Sequence, residues 1–534
     1  MSKTILHGAE AQKLILNGVN FLADAVKITE GPRGRNVLLG QRALGQSPKV
    51  TRDGVTVSNY ADPGDPTEQM GADLVREAAQ KTDNAVGDGT TASIVLAQAM
   101  IRSGFDLINS GANPMAMERG IHKATEAIIA QLRRSAVRVT DQTKLQQVAT
   151  VSAHGDVEIG KLVAEAVTKA GIDGVVTAEP SSTSDTYVES VPGLELPKSN
   201  LIHPAFITHP QDMKAEYLDC RILLWEGVIA TARSIVPILE QVNKAAGAMP
   251  LIIIAGGYES EALACIIKNK AQLALPLIAV RMDAYGERRK ELMRDIAALT
   301  GGKAFTEDMG TKIENVIVKD LGQARKVITD MSKTQIIQGK GNQTELEGRV
   351  NLIRQSIETA SPAEKTILKH RLAALTGGIT VIKVGGVTVT QMEETKDRVV
   401  DALSAAKAAV EQGIVAGGGS ALFHAAVVLK KFDNSAEHAG IEVVRRACGS
   451  VVYQIATNAG LSLLAIGDII DTLAASPDYG YNAYTDQFEN LIETGIVDPV
   501  KVVIESLKNA SAVSCSILTM GATVAEILQE KKNG

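Results

Sequence analysis

Aromatic residues are scarce in this sequence of 534 residues, and it lacks long apolar runs. Phe, Trp and Tyr together make up 3% of it, and Trp225 is the sole tryptophan. The hydrophobic cores must therefore be aliphatic and rich in alanine, which favours helices. The longest apolar runs, such as residues 250–255, are too short to span a bilayer, and no apolar stretch near the start resembles a secretory signal.

Cysteine pairs and metal-binding motifs are also missing. The four cysteines, Cys220, Cys265, Cys448 and Cys515, form no C-x-x-C pair, and the histidines form no H-E-x-x-H pair. A zinc ribbon or a redox motif is therefore not expected, and a reducing compartment is the simpler interpretation. The net charge of −6 gives no support to a nucleic-acid or membrane partner. We expect a cytoplasmic protein.

The chain is too long for one hydrophobic core, so two to four domains are expected. Residues 1–135 show mostly helical spacing, with one helix over residues 9–26. Asp65, Pro66 and Glu68 predict the start of another, with Asp65 as N-cap and Glu68 as its reciprocal capping partner.

Between residues 172 and 380 the pattern changes to short strand-like runs with helical segments between them, which indicates an α/β or α+β domain. Helix returns from Gln391 and continues nearly to the end. Helical ends around a mixed middle predict a domain built from both termini, with an insertion between. The strand-like runs are GVVTAE, RILLW, PLIIIAG, LPLIAVRM and ITVIKVGG.

The most informative motif is GDGTTA, residues 87–92. Gly87 and Gly89 allow the backbone to approach a ligand closely. Thr90 and Thr91 open a helix, whose free amides form an anion site suited to phosphate. Asp88 adds a hard oxygen ligand of the kind that Mg²⁺ prefers. Taken alone, a glycine turn with a threonine cap explains the motif equally well.

Three other features are ambiguous by themselves. Asp53 followed by Gly54 is typical of a turn, and Asp401 within an alanine-rich helix is typical of a solvated face. The glycines at 417–419 fit either a flexible joint or a close backbone approach to a nucleotide. The sequence contains neither a Walker A motif nor a Rossmann fingerprint.

Together these stretches resemble the group I chaperonins, the bacterial and organellar heat-shock chaperonin family. The similarity runs in order along essentially the whole chain, which favours the nucleotide interpretation of GDGTTA over a plain turn. An unrelated metabolic ATPase or kinase does not explain it. The matching segments include GPRGRNVLL, TRDGVTV, NAVGDGTTASIVLAQAM, LTGGITVIKVGG and DRVVDALSAAKAAVEQGIVAGGGSAL.

The resemblance implies a multi-domain chaperonin fold. A mainly α equatorial ATPase domain would comprise residues 1–134 and 412–534. An α+β intermediate hinge domain would comprise residues 135–191 and 380–411. An α/β apical domain that binds substrate and lid would comprise residues 192–379.

The resemblance also implies a nucleotide site with ATP, Mg²⁺ and K⁺ as cofactors. Asp88 would bind Mg²⁺, while Asp53 and Asp401 would position and activate the attacking water. Asp498 would hold the ribose. The implied nucleotide-binding residues are Thr29, Gly31, Pro32, Arg52, Gly87, Asp88, Gly89, Thr90, Thr91, Gly418, Asn482, Ala483, Ile496 and Asp498.

The same resemblance implies that the protein would capture non-native polypeptides and enclose them in a ring cavity, driven by ATP. The implied partners are further copies of the chain in a heptameric ring, single or double, and a small lid co-chaperonin. The location would be the cytosol of a bacterium or of an infected host. A non-hydrolysing scaffold or holdase on the same fold is the alternative.

A polypeptide- and lid-binding surface is implied in the apical domain. Without the resemblance, a stripe such as Leu263, Ile266 and Ile267 on one helical face would be more typical of core. The implied surface residues are Leu201, Ile202, Phe206, Val236, Leu239, Leu263, Ile266 and Ile267.

Several positions depart from the family pattern. Glu30 and Lys268 stand where apolar residues are usual, and the charges common at the contact between two rings are reversed or absent at Asp106, Tyr453 and Ser462. We therefore expect weak affinity between rings and a populated single ring. The departures indicate a divergent member, for which a paralogue, a viral protein and an endosymbiont protein are the alternatives.

Overall fold

A computed structural model of the chain divides into two compact units. Unit 1 contains Met1–Thr168, Ala178–Tyr187 and Ile382–Gly534, so both ends of the chain contribute to it, and unit 2 contains Lys169–Thr177 and Val188–Val381. The three-domain division stays a prediction. The structure describes residues 3–40, 48–139, 141–170, 175–181, 183–191, 193–197, 199–210, 213–244, 249–273, 275–432, 437–475 and 479–526.

Helices dominate the first part of the chain, as predicted. Asp65 accepts the N–H groups of residues 67 and 68 at 2.8 and 3.0 Å, so its role as N-cap is confirmed. The capping role predicted for Glu68 is wrong, because its carboxylate accepts from Asn17 Nδ2 at 3.1 Å instead. The elements are β1 Lys3–His7, α1 Gly8–Val26, β2 Val37–Leu39, β3 Lys49–Thr51, α2 Gly54–Tyr60, α3 Pro66–Val86, α4 Thr90–Asn109, α5 Pro114–Ser135, α6 Gln142–Ser152 and α7 Val157–Ala170.

Strands and helices alternate in the middle of the chain, and each predicted strand-like run coincides with an observed strand. A 3-10 turn at Pro204–Phe206 follows β7. The elements are β4 Val175–Pro180, β5 Tyr187–Val191, β6 Gly193–Pro197, β7 Ser199–Leu201, β8 Ala215–Ile229, α8 Ala232–Lys244, β9 Leu251–Tyr258, α9 Ser260–Leu273, β10 Leu277–Met282, α10 Gly286–Thr300, β11 Ala304–Phe305, β12 Gly322–Thr329, β13 Lys333–Gly339, α11 Gln343–Thr359, α12 Pro362–Gly377 and β14 Ile379–Val384.

One mixed sheet organises unit 2, with the strand order β6-β13-β12-β8-β9-β10-β7 and β11 paired to β8. Its centre is parallel: Leu223, Ile253 and Ala279 lie side by side on β8, β9 and β10. Residues 252–255 of β9 are fully buried, as expected for a parallel strand covered on both faces. β12, β13 and β6 continue the sheet in antiparallel fashion.

Helix predominates again in the last part of the chain. α19 packs against α3 and α4, and β19 pairs with β1 in antiparallel register, so the two ends of the chain share one core. Among the described residues, no helix combines the length and the apolar character needed to cross a membrane. The elements are α13 Val389–Gln412, β15 Ile414–Ala416, α14 Ser420–Ala425, α15 His438–Ala447, α16 Ser450–Asn458, α17 Leu463–Ala475, β16 Gly480–Asn482, β17 Gln487–Glu489, α18 Leu491–Thr494, β18 Val497–Pro499, α19 Val500–Leu518 and β19 Ala522–Glu526.

Candidate functional site

A cavity of about 750 Å³ in unit 1 brings together residues that are far apart in the sequence. Its volume is in the range of small-molecule and cofactor sites. Of the residues predicted to act on the nucleotide, only Gly87 is not part of its wall. Those that line the cavity are Thr29, Gly31, Pro32, Arg52, Asp53, Asp88, Gly89, Thr90, Thr91, Asp401, Gly418, Asn482, Ala483, Ile496 and Asp498.

The N-terminus of α4 opens into this cavity. Gly89 is its N-cap, with φ of 77°, and provides no side chain to cover the first amides of the helix. Thr91 Oγ1 lies 3.3 Å from Thr29 Oγ1, which also lines the cavity, and the Thr90 side chain is buried. Free amides and hydroxyls at the positive end of a 20-residue helix form an anion site of the kind predicted from GDGTTA.

The start of α2 lies directly against the start of α4. A Cβ atom at Gly54 would lie 2.4 Å from Thr91 Oγ1 and 2.9 Å from Thr90 Oγ1, so this approach requires glycine. Asp53 precedes it and accepts two backbone N–H groups of α2, at 3.2 and 2.8 Å. The close approach and the cap together hold the Asp53 carboxylate beside the anion site.

Asp88 is held by two hydrogen bonds. Its Oδ1 accepts from the Gly89 N–H at 2.6 Å, and its Oδ2 accepts from Ser152 Oγ, at the end of α6, at 2.7 Å. Burial raises the pKa of Asp88, the two hydrogen bonds oppose this, and nearby Asp53 adds to it. Sequence reasoning missed Ser152, since nothing in its local pattern indicates where the end of α6 lies.

Asp401 approaches the same space from α13. The end of α3 reaches this helix because Gly87 has no side chain: a Cβ there would lie 2.5 Å from Ser404 Oγ, one turn after Asp401. Burial, followed by the charges of Asp88 and Asp53, raises the pKa of Asp401 well above its usual range. Asp401 thus lies on the cavity wall rather than on the solvated face typical of such a residue.

The glycine loop at residues 417–419 and strand β18 form another part of the wall. Gly418 has φ of 61°, and an added Cβ would meet nothing closer than 3.9 Å, so its backbone faces open space. This favours the close approach to a ligand over the flexible joint. Asp498 accepts a hydrogen bond from the Gly418 backbone, and burial and Asp88 raise its pKa to about 7.

The segment after β16 lies next to this loop. Asn482 Oδ1 accepts the Tyr484 N–H at 2.8 Å, and its Nδ2 donates to Glu489 Oε1 at 2.5 Å. Its side-chain amide therefore stabilises the turn. Ala483 is buried and Ile496 is half-buried, so this wall is largely apolar.

Glu30 adds a further carboxyl group to the cavity. Arg52 donates hydrogen bonds to the backbone carbonyl oxygens of Thr29 and Gly31, the two residues that flank Glu30. The Glu30 side chain is surrounded by protein but keeps a surface on the cavity. Burial, then Asp498 and Asp88, raise its pKa to about 8, and Arg52 opposes this.

His154 is a second cavity residue that sequence reasoning missed. It has φ of 58° and is followed by Gly155 with φ of 89°, which makes a left-handed turn after α6. Burial, followed by the charges of Arg52 and Arg398, lowers its pKa to about 4, so the imidazole is neutral. The His-Gly pair indicates a turn but not that the turn faces a cavity.

A metal in this cavity would need ligands besides protein. No group of three or more His, Cys, Asp or Glu residues in the described ranges is arranged to hold one. Mg²⁺ usually binds through one or two carboxylates together with substrate phosphates. Asp88, with Asp53 close to it, fits that requirement.

The residues predicted to bind polypeptide all lie in unit 2, but only half of them are accessible. The prediction of an exposed surface is therefore corrected, because in this structure half of these residues belong to the hydrophobic core of unit 2. The buried members are Leu201, Phe206, Leu239 and Ile266. The partly exposed members are Ile202, Val236, Leu263 and Ile267.

The sequence matches the TCP-1/cpn60 chaperonin family over residues 22–527. The chain belongs to this family. The resemblance found in the sequence is thereby confirmed for nearly the whole length of this chaperonin.

A solved structure with the same fold is the chaperonin gp146 from the bacteriophage EL 2 (Pseudomonas aeruginosa), crystallised in the presence of ATP-BeFx. The match covers 98% of this chaperonin and 99% of that chain, with a TM-score of 0.65 and 20% sequence identity. At this identity the likeness shows the fold, and the predicted multi-domain chaperonin fold is confirmed.

Proposed function

We propose that this chaperonin hydrolyses ATP and uses the hydrolysis to capture non-native polypeptides and enclose them in a ring cavity. The observation that supports the enzymatic part is that Asp53, Asp88 and Asp401 all line the cavity into which the N-terminus of α4 opens. Phosphoryl transfer needs positioning and charge stabilisation more than covalent catalysis. Carboxylates beside an anion site meet that need when a cation is bound.

Each group has a distinct role in this proposal. The amides at the start of α4 and the hydroxyls of Thr90 and Thr91 bind the phosphates. Asp88 holds Mg²⁺, which supplies charge neutralisation to the phosphates when bound. Asp53 orients the attacking water, and Asp401 accepts its proton. K⁺ belongs to the proposal as a further cation, without an assigned residue.

The protonation of Asp401 would couple catalysis to loading of the cavity. Its raised pKa favours the neutral carboxyl group while the neighbouring aspartates are uncompensated. Positive charge that enters with the nucleotide would lower this pKa and generate the carboxylate that acts as base. The base would thus form only in the loaded cavity.

The nucleoside would bind at the glycine loop and the segment after β16. Asp498 is suited to accept hydrogen bonds from the ribose hydroxyls, and the exposed backbone of Gly418 allows the sugar to come close. Ala483 and Ile496 provide an apolar wall for the adenine.

The assembly completes the proposal. Copies of the chain would form a heptameric ring, single or double, closed by a small lid co-chaperonin. Polypeptide would bind to the partly exposed residues of the predicted surface in unit 2, which are Ile202, Val236, Leu263 and Ile267. A cytoplasmic location fits the four cysteines, which are all free.

The direct test is phosphate release from Mg-ATP by the wild type and by Asp401→Ala. The variant should still bind ATP but turn over roughly 100-fold more slowly, as expected for loss of a general base. Glu411→Gln is the matched control, because Glu411 lies on the same helix, is exposed and pairs with Lys501 at 2.7 Å. Equal turnover of wild type and Asp401→Ala would contradict the assigned role.

A holdase without ATPase activity is the second candidate. Glu30 favours it, because this cavity carboxyl group opposes a triphosphate in its ionised form, and with a pKa of about 8 a part of it is ionised near neutral pH. In that case the wild type would release no phosphate yet would still prevent aggregation of a denatured protein.

A further inference from the structure

Asp88 lies on a short loop and belongs to neither of the helices beside it. Helix α3 ends two residues before it, and α4 begins two residues after it. Its neighbours Gly87 and Gly89 are both in the left-handed region, with φ of 66° and 77°. Glycine leaves the backbone more freedom than any other residue does. The direction of the Asp88 carboxylate therefore depends on the hydrogen bonds that its side chain accepts.

The Asp88 carboxylate accepts one hydrogen bond on each oxygen. The bond to Oδ1 comes from the Gly89 N–H, which belongs to the next residue and so to the same loop. The bond to Oδ2 comes from Ser152 Oγ at 2.7 Å, 64 residues further along the chain. A carboxylate offers about four lone-pair sites. Each oxygen therefore keeps a lone pair for a cation, while Ser152 ties the carboxylate to another element.

The packing of α6 on α13 fixes the position of Ser152. Val148 of α6 is fully buried and belongs to the same apolar cluster as Ala405 and Ala409 of α13. Ser152 follows Val148 by one helical turn, so it lies on the same face of α6, at the end of the helix. Its hydroxyl is thus presented to Asp88 from a helix that is held in place by an apolar contact.

The same pair of helices carries Asp401. This residue precedes Ala405 by one helical turn, so it extends the packed face of α13 as Ser152 extends that of α6. Asp401 and Ser152 both line the cavity. The position of the proposed base and the direction of the proposed metal ligand are therefore both set by the α6–α13 pair.

We propose that Ser152 is a positioning residue of the nucleotide site, whose hydroxyl orients the Asp88 carboxylate for the Mg²⁺ that enters with the nucleotide. Hydrogen bonds to a ligating carboxylate hold it in the geometry that the metal requires, and their loss weakens metal binding by roughly 10- to 100-fold. Because Ser152 belongs to the α6–α13 pair, the same bond keeps Asp88 in place relative to Asp401. The inference rests on the proposed nucleotide site and adds to it a residue that acts through Asp88.

The test measures the affinity of the full-length protein for ADP by isothermal titration calorimetry, once with excess Mg²⁺ and once with EDTA instead. Ser152→Ala should lose roughly ten-fold of the affinity that Mg²⁺ adds in the wild type, and its affinity in EDTA should be unchanged. An equal gain from Mg²⁺ in both proteins would overturn this inference alone. Equal weakening in both buffers would show a merely structural role and would also overturn it.

The result does not depend on hydrolysis, because ADP is not hydrolysed. Phosphate release from Mg-ATP by the wild type tests the proposed ATPase separately. Absence of ADP binding by the wild type in both buffers would overturn the proposed nucleotide site and this inference together.

Two further variants test whether the hydroxyl is responsible. Ser152→Thr keeps a hydroxyl donor and should keep the gain from Mg²⁺. Ser516→Ala is the matched control, because Ser516 is an exposed residue of α19 whose Oγ donates to the Ala512 carbonyl oxygen at 3.2 Å. It should behave as the wild type does. A loss in either variant as large as that in Ser152→Ala would overturn the assignment.

The Mg²⁺ dependence of phosphate release separates the role of Ser152 from that of Asp401. In Ser152→Ala, the free Mg²⁺ concentration that gives half-maximal release should rise roughly ten-fold. In Asp401→Ala, the maximal rate should fall and that concentration should stay at the wild-type value, because the base does not hold the metal. A lower maximal rate in Ser152→Ala with an unchanged Mg²⁺ requirement would overturn the proposal.

Discussion

Carboxylates are crowded into the cavity of unit 1, and their electrostatics are the main feature at the scale of single residues. Burial is the first cause that raises the pKa of Glu30, Asp88, Asp401 and Asp498, and their mutual repulsion adds to it. Like charges in a desolvated space favour the protonated state until a cation enters. Uptake of a metal or of Mg-ATP should therefore release protons to the solvent.

The variant Glu30→Gln tests this crowding. The folded protein holds the pKa of Glu30 near 8, above its ordinary value of 4.5. The unfolded chain therefore loses this proton first as the pH rises, so the stability contribution present below pH 4.5 is lost between 4.5 and about 8. The free energy of unfolding of the wild type should fall relative to Glu30→Gln across this range, by up to a few kcal/mol.

Denaturant unfolding at about pH 5 and about pH 8.5, in buffer without nucleotide or metal, provides the measurement for this range. Glu411→Gln, at an exposed position, serves as the control. Its free energy of unfolding should change between the two pH values by the same amount as that of the wild type. An equal change in the free energy of unfolding for Glu30→Gln and for the wild type would contradict the raised pKa of Glu30.

The sequence indicated some of these residues and not others, for physical reasons. Asp88 follows from its place before a helix start, and Asp53 and Asp401 follow from resemblance, since their local patterns are those of a turn and a solvated face. Ser152 and His154 reach the cavity only through the position of α6 and the left-handed turn after it. The position of these two residues at the cavity results from tertiary packing and cannot be predicted from the local sequence.

At the scale of secondary-structure elements, the site depends on how closely the first turns of α2 and α4 approach. Gly54→Ala would place a Cβ 2.4 Å from Thr91 Oγ1 and 3.2 Å from the Thr91 backbone nitrogen, so the Thr91 side chain or one helix start must move. We expect the ATPase rate to fall by roughly ten-fold or more, because a displacement of about 1 Å is costly in catalysis. Gly64→Ala is the control, since a Cβ there meets no atom within 4 Å. Equal ATPase rates for Gly54→Ala and Gly64→Ala would contradict the requirement for close contact between the first turns of α2 and α4.

Helices and strands with a regular apolar period were predictable, and those held by polar contacts were not. The helix predicted over residues 9–26 is observed as Gly8–Val26, and the parallel strands of unit 2 coincide with apolar runs. β12 was not predicted, because charged residues interrupt its apolar pattern. Lys326 is compatible with this strand because its amine pairs with Glu216 of β8 at 3.0 Å.

At the scale of the whole molecule, the proposed assembly into single or double rings is open to a direct measurement. Asp106 and Ser462 are exposed, and Tyr453 is 42% exposed, so none of the three is engaged within its own chain's core. Without paired charges between rings, single rings should be populated at low protein concentration in sedimentation velocity. Asp106→Lys, which restores a basic residue, should increase the double-ring fraction. Double rings alone at every concentration, with or without nucleotide, would contradict this expectation.

The family and the fold class could be predicted because matching segments occur in order along the whole chain. The exposure of the residues predicted to bind polypeptide could not, because a helical stripe of apolar residues is compatible with a core as well as with a surface. Phe206 and Ile266 turn out to be fully buried, while Leu263 and Ile267 are partly exposed. Which of them face solvent is decided by the packing of α9 on the sheet.

The pairing of β1 with β19 has a consequence for synthesis of the chain on the ribosome. Unit 1 is assembled from the first and the last parts of the sequence, and its cavity takes Asp53 and Asp88 from one and Asp498 from the other. Unit 2, a nearly continuous insertion, emerges complete long before that. A nascent chain should therefore fold unit 2 first and lack the complete cavity of unit 1 until α19 has left the exit tunnel.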